Sequence, residues 1–398
     1  MSMAGQRLPW EHRNYSMMSA ILFSSALLIL SSLYVTVPLV YIFAKEFQVT
    51  PERASLAGGA FSLLFAAGCL IYGPLSDRVG RKKVMVSGLI VLAVATFLIG
   101  VTDNFAVLLI LRCVQGAAAA TFSPVALTYA GEMFPIDRKV TAIGYISTGF
   151  LMAGIIGQVW ASGVEQYGGW HTVFISMACV YLILAIVMGI LLPPGLKNMG
   201  FGKEANPLRQ VGMVLGNASL LLCYGITIMV LLCFVGAYSA MGHFLSGPPF
   251  NLDIDEILGI RAIGIAGMLL SPLAGRLGRK FGVLRVLRAG SALAIIGLMA
   301  MSIGHQPYLY AMVSVIFTAG ISLLVPSLIS LIGELGGPYR AIATSLYTFI
   351  LFIGASLGPL LTTTLLKLDM PSLPFVVFAI LLGCGFIMSL FVRLSSRE

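Results

Sequence analysis

Twelve runs of mainly apolar residues, each near the roughly 20 residues that cross the hydrocarbon core of a bilayer, divide this chain. They are predicted at about 17–43, 54–76, 84–102, 105–131, 140–163, 170–193, 213–241, 257–275, 283–304, 307–333, 341–366 and 372–393. With 59% hydrophobic and 10% charged residues and a mean hydropathy of +0.99, a water-soluble globule could not hide so much apolar surface. In lipid, backbone polar groups must be paired within their own segment, so runs of this length read as helices. The expected fold class is an all-α polytopic membrane protein.

Charge orients the array. A net charge of +9 in a soluble chain would suggest nucleic acid, but here the basic residues crowd the turns between apolar runs. Most of the 24 Lys and Arg lie in the turns at 77–83, 137–139, 195–210 and 276–288, at Arg340, and at the two ends (Arg7, Arg13, Arg393, Arg397). Of the turns on the other side, only those with Lys45, Arg53 and Lys367 carry any. By the positive-inside rule both termini are expected in the cytoplasm, with the chain multi-pass in the cell inner (plasma) membrane. The six cysteines sit inside apolar runs with no CxxC spacing, which suits packing better than disulfides or metal ligation.

The turn GPLSDRVGRKK, Gly73 to Lys83, occurs twice. SPLAGRLGRK, Ser271 to Lys280, aligns with it without gaps and keeps Pro, Leu, Arg, Gly, Arg and Lys. A second set repeats with it: Pro124, Gly131, Glu132, Arg138 and Tyr145 correspond to Pro326, Gly333, Glu334, Arg340 and Tyr347. The longest polar interruption, Gly195 to Gln210, falls between the copies. The expected organisation is an N-terminal six-helix bundle (1–194), a cytoplasmic linker (195–212) and a C-terminal six-helix bundle (213–398). Parallel repeats of this kind imply a pseudo-two-fold axis along the membrane normal and a cavity between the bundles. That geometry suits alternating access and is poor for a fixed pore.

These motifs resemble the major facilitator superfamily, and within it the twelve-helix drug:proton antiporter branch. The family's loop signature G-x-L-a-D-[RK]-x-G-R-[RK] is met at Gly73, Leu75, Asp77, Arg78, Gly80, Arg81 and Lys82. A second signature, R-x-x-Q-G, stands as Arg112, Gln115 and Gly116, followed by Ala117 to Ala120. The glycine-rich antiporter signature of the fifth span is partial: Gly144 and Gly157 fit, while Ala153, Gln158, Ala161 and Ser162 replace Gly, Pro, Gly and Gly. The resemblance implies two pseudo-symmetric six-helix bundles and proton-coupled efflux of small amphipathic molecules, either drugs or an endogenous metabolite. The resemblance suggests a latch at Asp77, and the gating and coupling set expected from the loop signature and the repeat is Gly73, Asp77, Arg78, Gly80, Arg81, Glu132, Arg138, Glu334 and Arg340. In that gate Asp77 would accept hydrogen bonds from the free amides opening the eleventh span, with Gly275 as its silent counterpart. Glu132 with Arg138, and Glu334 with Arg340, would form charge clusters on the inner surface or would anchor topology.

Two arginines, Arg112 and Arg261, lie inside apolar runs, and no acidic residue occupies a helix core. A buried arginine needs a partner or a wet cavity. Arg112 either faces such a cavity or is held by backbone carbonyls; Arg261 either reaches a cavity, snorkels, or pairs with Asp255 or Glu256. The substrate-binding set expected from these residues and the aromatic and polar positions near them is Arg112, Gln115, Tyr34, Phe122, Tyr129, Gln158, Tyr238, Arg261 and Tyr347. Unpaired arginines would favour a cargo bearing carboxylate or phosphate. This leaves open an exporter or importer of an organic anion, such as a carboxylate-rich metallophore, as well as a lipid flippase. Proton carriers would come from Asp77, Glu132 and His243. Pro38, Pro124, Pro326 and Pro359 are expected bending points. No HExxH, GxSxG or P-loop is present, so an enzyme is not expected. The expected partners are a small-molecule substrate, protons and the bilayer around a monomer, with no nucleic acid, cofactor or metal.

Overall fold

A computed structural model describes residues 14–195, 207–303, 306–368, 370 and 372–393, and the elements among them are helices joined by short turns. Among the described residues eleven helical stretches are long and apolar enough to cross a membrane: Tyr15–Glu46, Pro51–Val79, Arg81–Ile99, Phe105–Met133, Ile136–Leu191, Ala218–Ser246, Glu256–Phe281, Val283–Ile303, Pro307–Leu335, Gly337–Leu366 and Leu373–Phe391. One of them is two. Ile136–Leu191 has 56 residues, about 84 Å of helix at 1.5 Å per residue against a hydrocarbon core of about 30 Å. It reverses at Gly169, whose φ of 71° and ψ of 172° fit glycine alone. Spans 5 and 6 are therefore 136–168 and 170–191, and the spans number twelve, as the apolar runs predict. The expected linker lies largely outside the described residues, as do Arg7, Arg13, Lys197, Lys203 and Arg397.

Three spans are broken where proline removes a backbone donor. Span 4 consists of Phe105–Ala119 and Ser123–Met133, because Pro124 cannot donate to the carbonyl of residue 120. Span 1 breaks at Val35, upstream of Pro38. Span 8 is three pieces, Ile254–Ile263, Ile265–Met268 and Leu273–Phe281, interrupted at Gly264, where there is no proline, and again just before Pro272, breaks that the sequence reading missed. Pro326 and Pro359 stay inside continuous helices.

Helix packing repeats between the halves. Span 1 packs along span 5 as span 7 packs along span 11, and span 3 lies on span 6 as span 9 lies on span 12. Across the boundary, span 2 meets span 11 and span 8 meets span 5. The repeated turns themselves differ. The first reverses at Gly80 (φ 104°), so Arg81 opens span 3. The second reverses at Gly282 (φ 90°), one helical turn beyond the aligned Gly278, which stays inside the helix. Arg279 therefore ends span 8 instead of opening span 9.

Candidate functional site

On the face that carries the basic turns, the two halves close on each other through small residues. A Cβ on Gly73 in span 2 would collide with Ser345 Oγ of span 11 and stand 2.9 Å from the Ala341 carbonyl. A Cβ on Gly144 in span 5 would stand 2.6 Å from the Ser271 carbonyl and 2.8 Å from Pro272 Cα of span 8. Each seam is thus a glycine against a serine. Gly275, the counterpart of Asp77, is pressed by span 5: a Cβ there would meet Thr141 Cα at 2.9 Å. A side chain at 275 has no room, which accounts for the asymmetry of the two turns.

Single hydrogen bonds cross the same boundary. The hydroxyls of Thr128 in span 4 and Thr344 in span 11 share one of 2.8 Å. The Met268 carbonyl, to which Pro272 cannot donate, accepts from the Ser271 N–H at 3.2 Å and from Thr148 Oγ1 of span 5 at 3.4 Å. Arg340 Nη1 donates to the Gly131 carbonyl at 3.1 Å. Further in, Phe65 and Phe352 meet edge to face with centroids 4.5 Å apart.

The expected gate residues are regrouped around Arg81, which is 2% exposed. Its Nε and Nη2 donate to the two oxygens of Glu132 at 3.2 and 2.7 Å. Nη1 donates to Ser76 and to the Gly73 carbonyl, and Asp77 pairs with Nη2. The partner of Asp77 is this arginine, one turn along, and not the amides of span 11. Nor is Glu132 paired with Arg138: Arg138 is exposed, over the Tyr15 ring at 5.3 Å and 3.7 Å from Asp137. Glu334 is exposed, while Arg340 reaches the other half instead of Glu334. Arg78 is exposed. These differences follow from the turn register. Arg81 begins a helix and points into the bundle; Arg279, its counterpart, ends one and bonds the Asp137 carbonyl outside.

Arg112 resolves to the carbonyl-held alternative. It is wholly buried: Nε donates to the Ala57 carbonyl at 2.9 Å, Nη1 to the Ser32 carbonyl at 3.0 Å and to Gln115 Oε1. Its guanidinium carbon lies 4.6 Å over the Phe61 ring. Gln115 in turn donates to Thr96 at 2.7 Å. Arg112 therefore ties spans 1, 2 and 4 together, and its Nη2 is buried with no hydrogen-bond partner among the described residues. Arg261 neither snorkels nor joins Glu256, which is occupied in a capping box with Asp253. Its Nη2 donates to the Tyr238 carbonyl at 2.8 Å; the side chain of Asp255 is outside the described residues.

The remaining expected binding residues do not converge. Tyr129 lies at the charged face and donates to the Pro193 carbonyl at 2.8 Å, away from mid-membrane. Gln158 donates back to the Gly154 carbonyl of its own helix. Phe122 is wholly buried in the break of span 4. Tyr34 is half-buried near Gly154, and Tyr238 is packed on Phe234. Tyr347 is buried on span 11, its hydroxyl without a partner among the described residues. It shares that state with Ser25, Ser123, Ser147, Ser271 and Ser345. Sequence reasoning missed these serines and the threonines of the seam. The signal was present as Ser271 standing opposite Gly73 in the repeat.

Comparison with known proteins bears on this geometry. The family model described as "Major Facilitator Superfamily" matches residues 21–259 and 257–398. An "Uncharacterized transporter" of Buchnera aphidicola subsp. Schizaphis graminum is 29% identical over 328 residues, covering 82% of this chain and 79% of its own length. The "Inner membrane transport protein YnfM" of Escherichia coli is 24% identical over 268 residues (66% and 63%). The "Multidrug resistance protein MdtG" of Proteus mirabilis is 29% identical over 253 residues, 62% of each chain.

Proposed function

The chain belongs to the major facilitator superfamily, and we propose that it is a proton-coupled exporter of small amphipathic molecules, working by alternating access with both termini in the cytoplasm. The observation that carries this reading is the seam at the charged face. Glycine–serine contacts and a few lone hydrogen bonds hold it, and such contacts close tightly yet part without unfolding either bundle. The buried hydroxyls of Ser25, Ser123, Ser147, Ser271, Ser345 and Tyr347 support an uncharged, weakly polar binding region, since each gains a partner when a guest or water enters. The carboxylate among the buried groups without a hydrogen bond, Asp77, sits on Arg81, and Arg112 gives Nε and Nη1 to backbone carbonyls while its Nη2 has no partner among the described residues. That suits amphipathic cargo better than a carboxylate-rich anion. The relatives that bear a multidrug resistance name support the same direction of transport.

Asp77 and Glu132, both on Arg81, are the acids placed to couple protons to the closing of this face. The test is accumulation of a panel of dyes, antibiotics and anionic metabolites in cells with and without the protein, before and after the proton gradient is collapsed. Lower accumulation of amphipathic compounds that disappears with the gradient is the expected result. Export that survives collapse removes the proton coupling, and a panel on which the protein has no effect removes the cargo class.

A further inference from the structure

A cleft of about 780 Å³ opens at the charged face between the start of span 1, the start of span 5 and the end of span 8. Its polarity is graded. At the face, Arg138, Arg276 and Arg279 form the rim with one acid, Asp137. Deeper in, the wall is mainly apolar, with Phe23, Tyr145 and Leu269 among the hydroxyls of Ser19, Thr141 and Thr148. Tyr145 and Leu269 are 41% and 56% exposed, so the apolar end opens sideways.

The charges on the rim do not cancel. Asp137 is shared by two arginines: Arg279 Nη1 donates to its backbone carbonyl at 2.6 Å and lies 3.8 Å from its carboxylate, and Arg138 Nε lies 3.7 Å from the same carboxylate. Arg276 is exposed and has no ion-pair partner among the described residues. A basic rim at headgroup level over an apolar wall open to lipid matches one class of molecule in order and in charge.

We propose that this cleft binds an acidic phospholipid of the surrounding leaflet, its phosphate on Arg276 and Arg279 and its glycerol and upper acyl chain against Phe23 and Leu269. Arg276 and Arg279 belong to span 8, and Arg138 of span 5 stands on the same rim, so the headgroup sits at the junction of the two halves. This assignment needs only that the chain sits in a bilayer, and it stands or falls independently of the cargo.

The test is native mass spectrometry of the full-length protein in detergent, titrated with phosphatidylglycerol or with phosphatidylcholine of the same chains. The wild type is expected to retain phosphatidylglycerol preferentially. Arg276→Glu removes one positive charge and adds a negative one, and retention should fall about fivefold for each unit of charge changed. Arg276 is exposed and makes no hydrogen bond or ion pair among the described residues, so this variant is expected to fold, which an unchanged melting temperature checks, and Arg276→Lys should keep most of the preference. Equal retention of the two lipids, or Arg276→Glu behaving as wild type, overturns the proposal. So does displacement of phosphatidylglycerol by millimolar inorganic phosphate, which would assign the rim to a free anion.

Discussion

Thr128 and Thr344, on opposite halves of the chain, share a 2.8 Å hydrogen bond between their hydroxyls. Each also has an acceptor within its own helix: the Pro124 carbonyl for Thr128 and the Arg340 carbonyl for Thr344, both at 2.9 Å. Either hydroxyl can therefore turn back to its own backbone when the halves separate. A contact that leaves no group stranded costs little to break, which is what a reversible seam requires.

A double-mutant cycle with Thr128→Val and Thr344→Val measures this bond. The coupling is expected to be about 0.6 kcal/mol, typical of a hydroxyl bond between membrane helices. Thermal unfolding in detergent of the wild type, both singles and the double variant gives the value; strictly additive losses would mean that the hydroxyls do not meet in the resting protein.

Gly73→Ala and Gly144→Ala place a methyl group against span 11 and span 8 respectively. Overpacking of this kind costs about 1–3 kcal/mol, and here it bears on the contact between halves more than on either bundle. Both variants should increase thiol labelling of a cysteine introduced at Thr344. Labelling no faster than in the cysteine variant alone would place the gate elsewhere.

Arg81→Ala leaves Glu132 and Asp77 facing each other without their shared cation. Removing one partner from a buried pair typically costs about 3–5 kcal/mol, seen as a large fall in melting temperature. Arg81→Lys should recover little, because an ammonium group cannot serve both oxygens of Glu132 together with Ser76 and the Gly73 carbonyl. Full recovery by lysine would show that charge alone is needed.

Arg112→Ala is expected to reduce stability as well as transport. It strips the carbonyls of Ala57 and Ser32 and the amide of Gln115 of their donor, at about 1–3 kcal/mol for each group left buried and unpaired. Stability at the wild-type level with transport abolished would restore Arg112 to a direct role in moving cargo or protons.

The displaced second turn is tested by a pair of alanines. Gly282→Ala forces a side chain into a conformation available to glycine and should cost about 1–3 kcal/mol. Gly278→Ala falls inside a helix where the nearest neighbour, Val283 Cγ2, is 3.6 Å from the added methyl, and should be neutral. The opposite ranking would put the reversal back at the position that the repeat suggests.

Much of the fold could be read directly. Even the fifth and sixth spans, continuous in helical geometry through residue 168, were separable because WHTVF follows the Gly168–Gly169 pair after a polar stretch. The gate was legible as a set of residues and illegible as a set of bonds. Asp77, Arg81, Glu132 and Arg340 were all expected there, yet Asp77, Glu132 and Arg340 have different partners from those assigned, and Arg81, to which none was assigned, is the hub. For Arg112 the sequence posed two alternatives, and only the positions of the Ala57 and Ser32 carbonyls choose between them. The cargo-facing set was the least legible, because a tyrosine or glutamine in an apolar run satisfies its polar end on any carbonyl within reach, as Gln158 and Tyr129 do.

The number of spans, the concentration of basic turns on one face, and the relationship between the halves are local properties of the chain. Lipid offers no hydrogen bonds, so each apolar run must close its own backbone into a helix wherever it lies. Side-chain partnerships are not local. A shift of one residue rotates a helix face by about 100°, and the glycine at which a turn reverses decides whether an arginine opens the next helix or closes the last. Arg81 and Arg279 occupy equivalent places in the repeat; one is buried on Glu132 and the other lies outside on Asp137, because the chain turns at Gly80 in the first case and at Gly282 in the second.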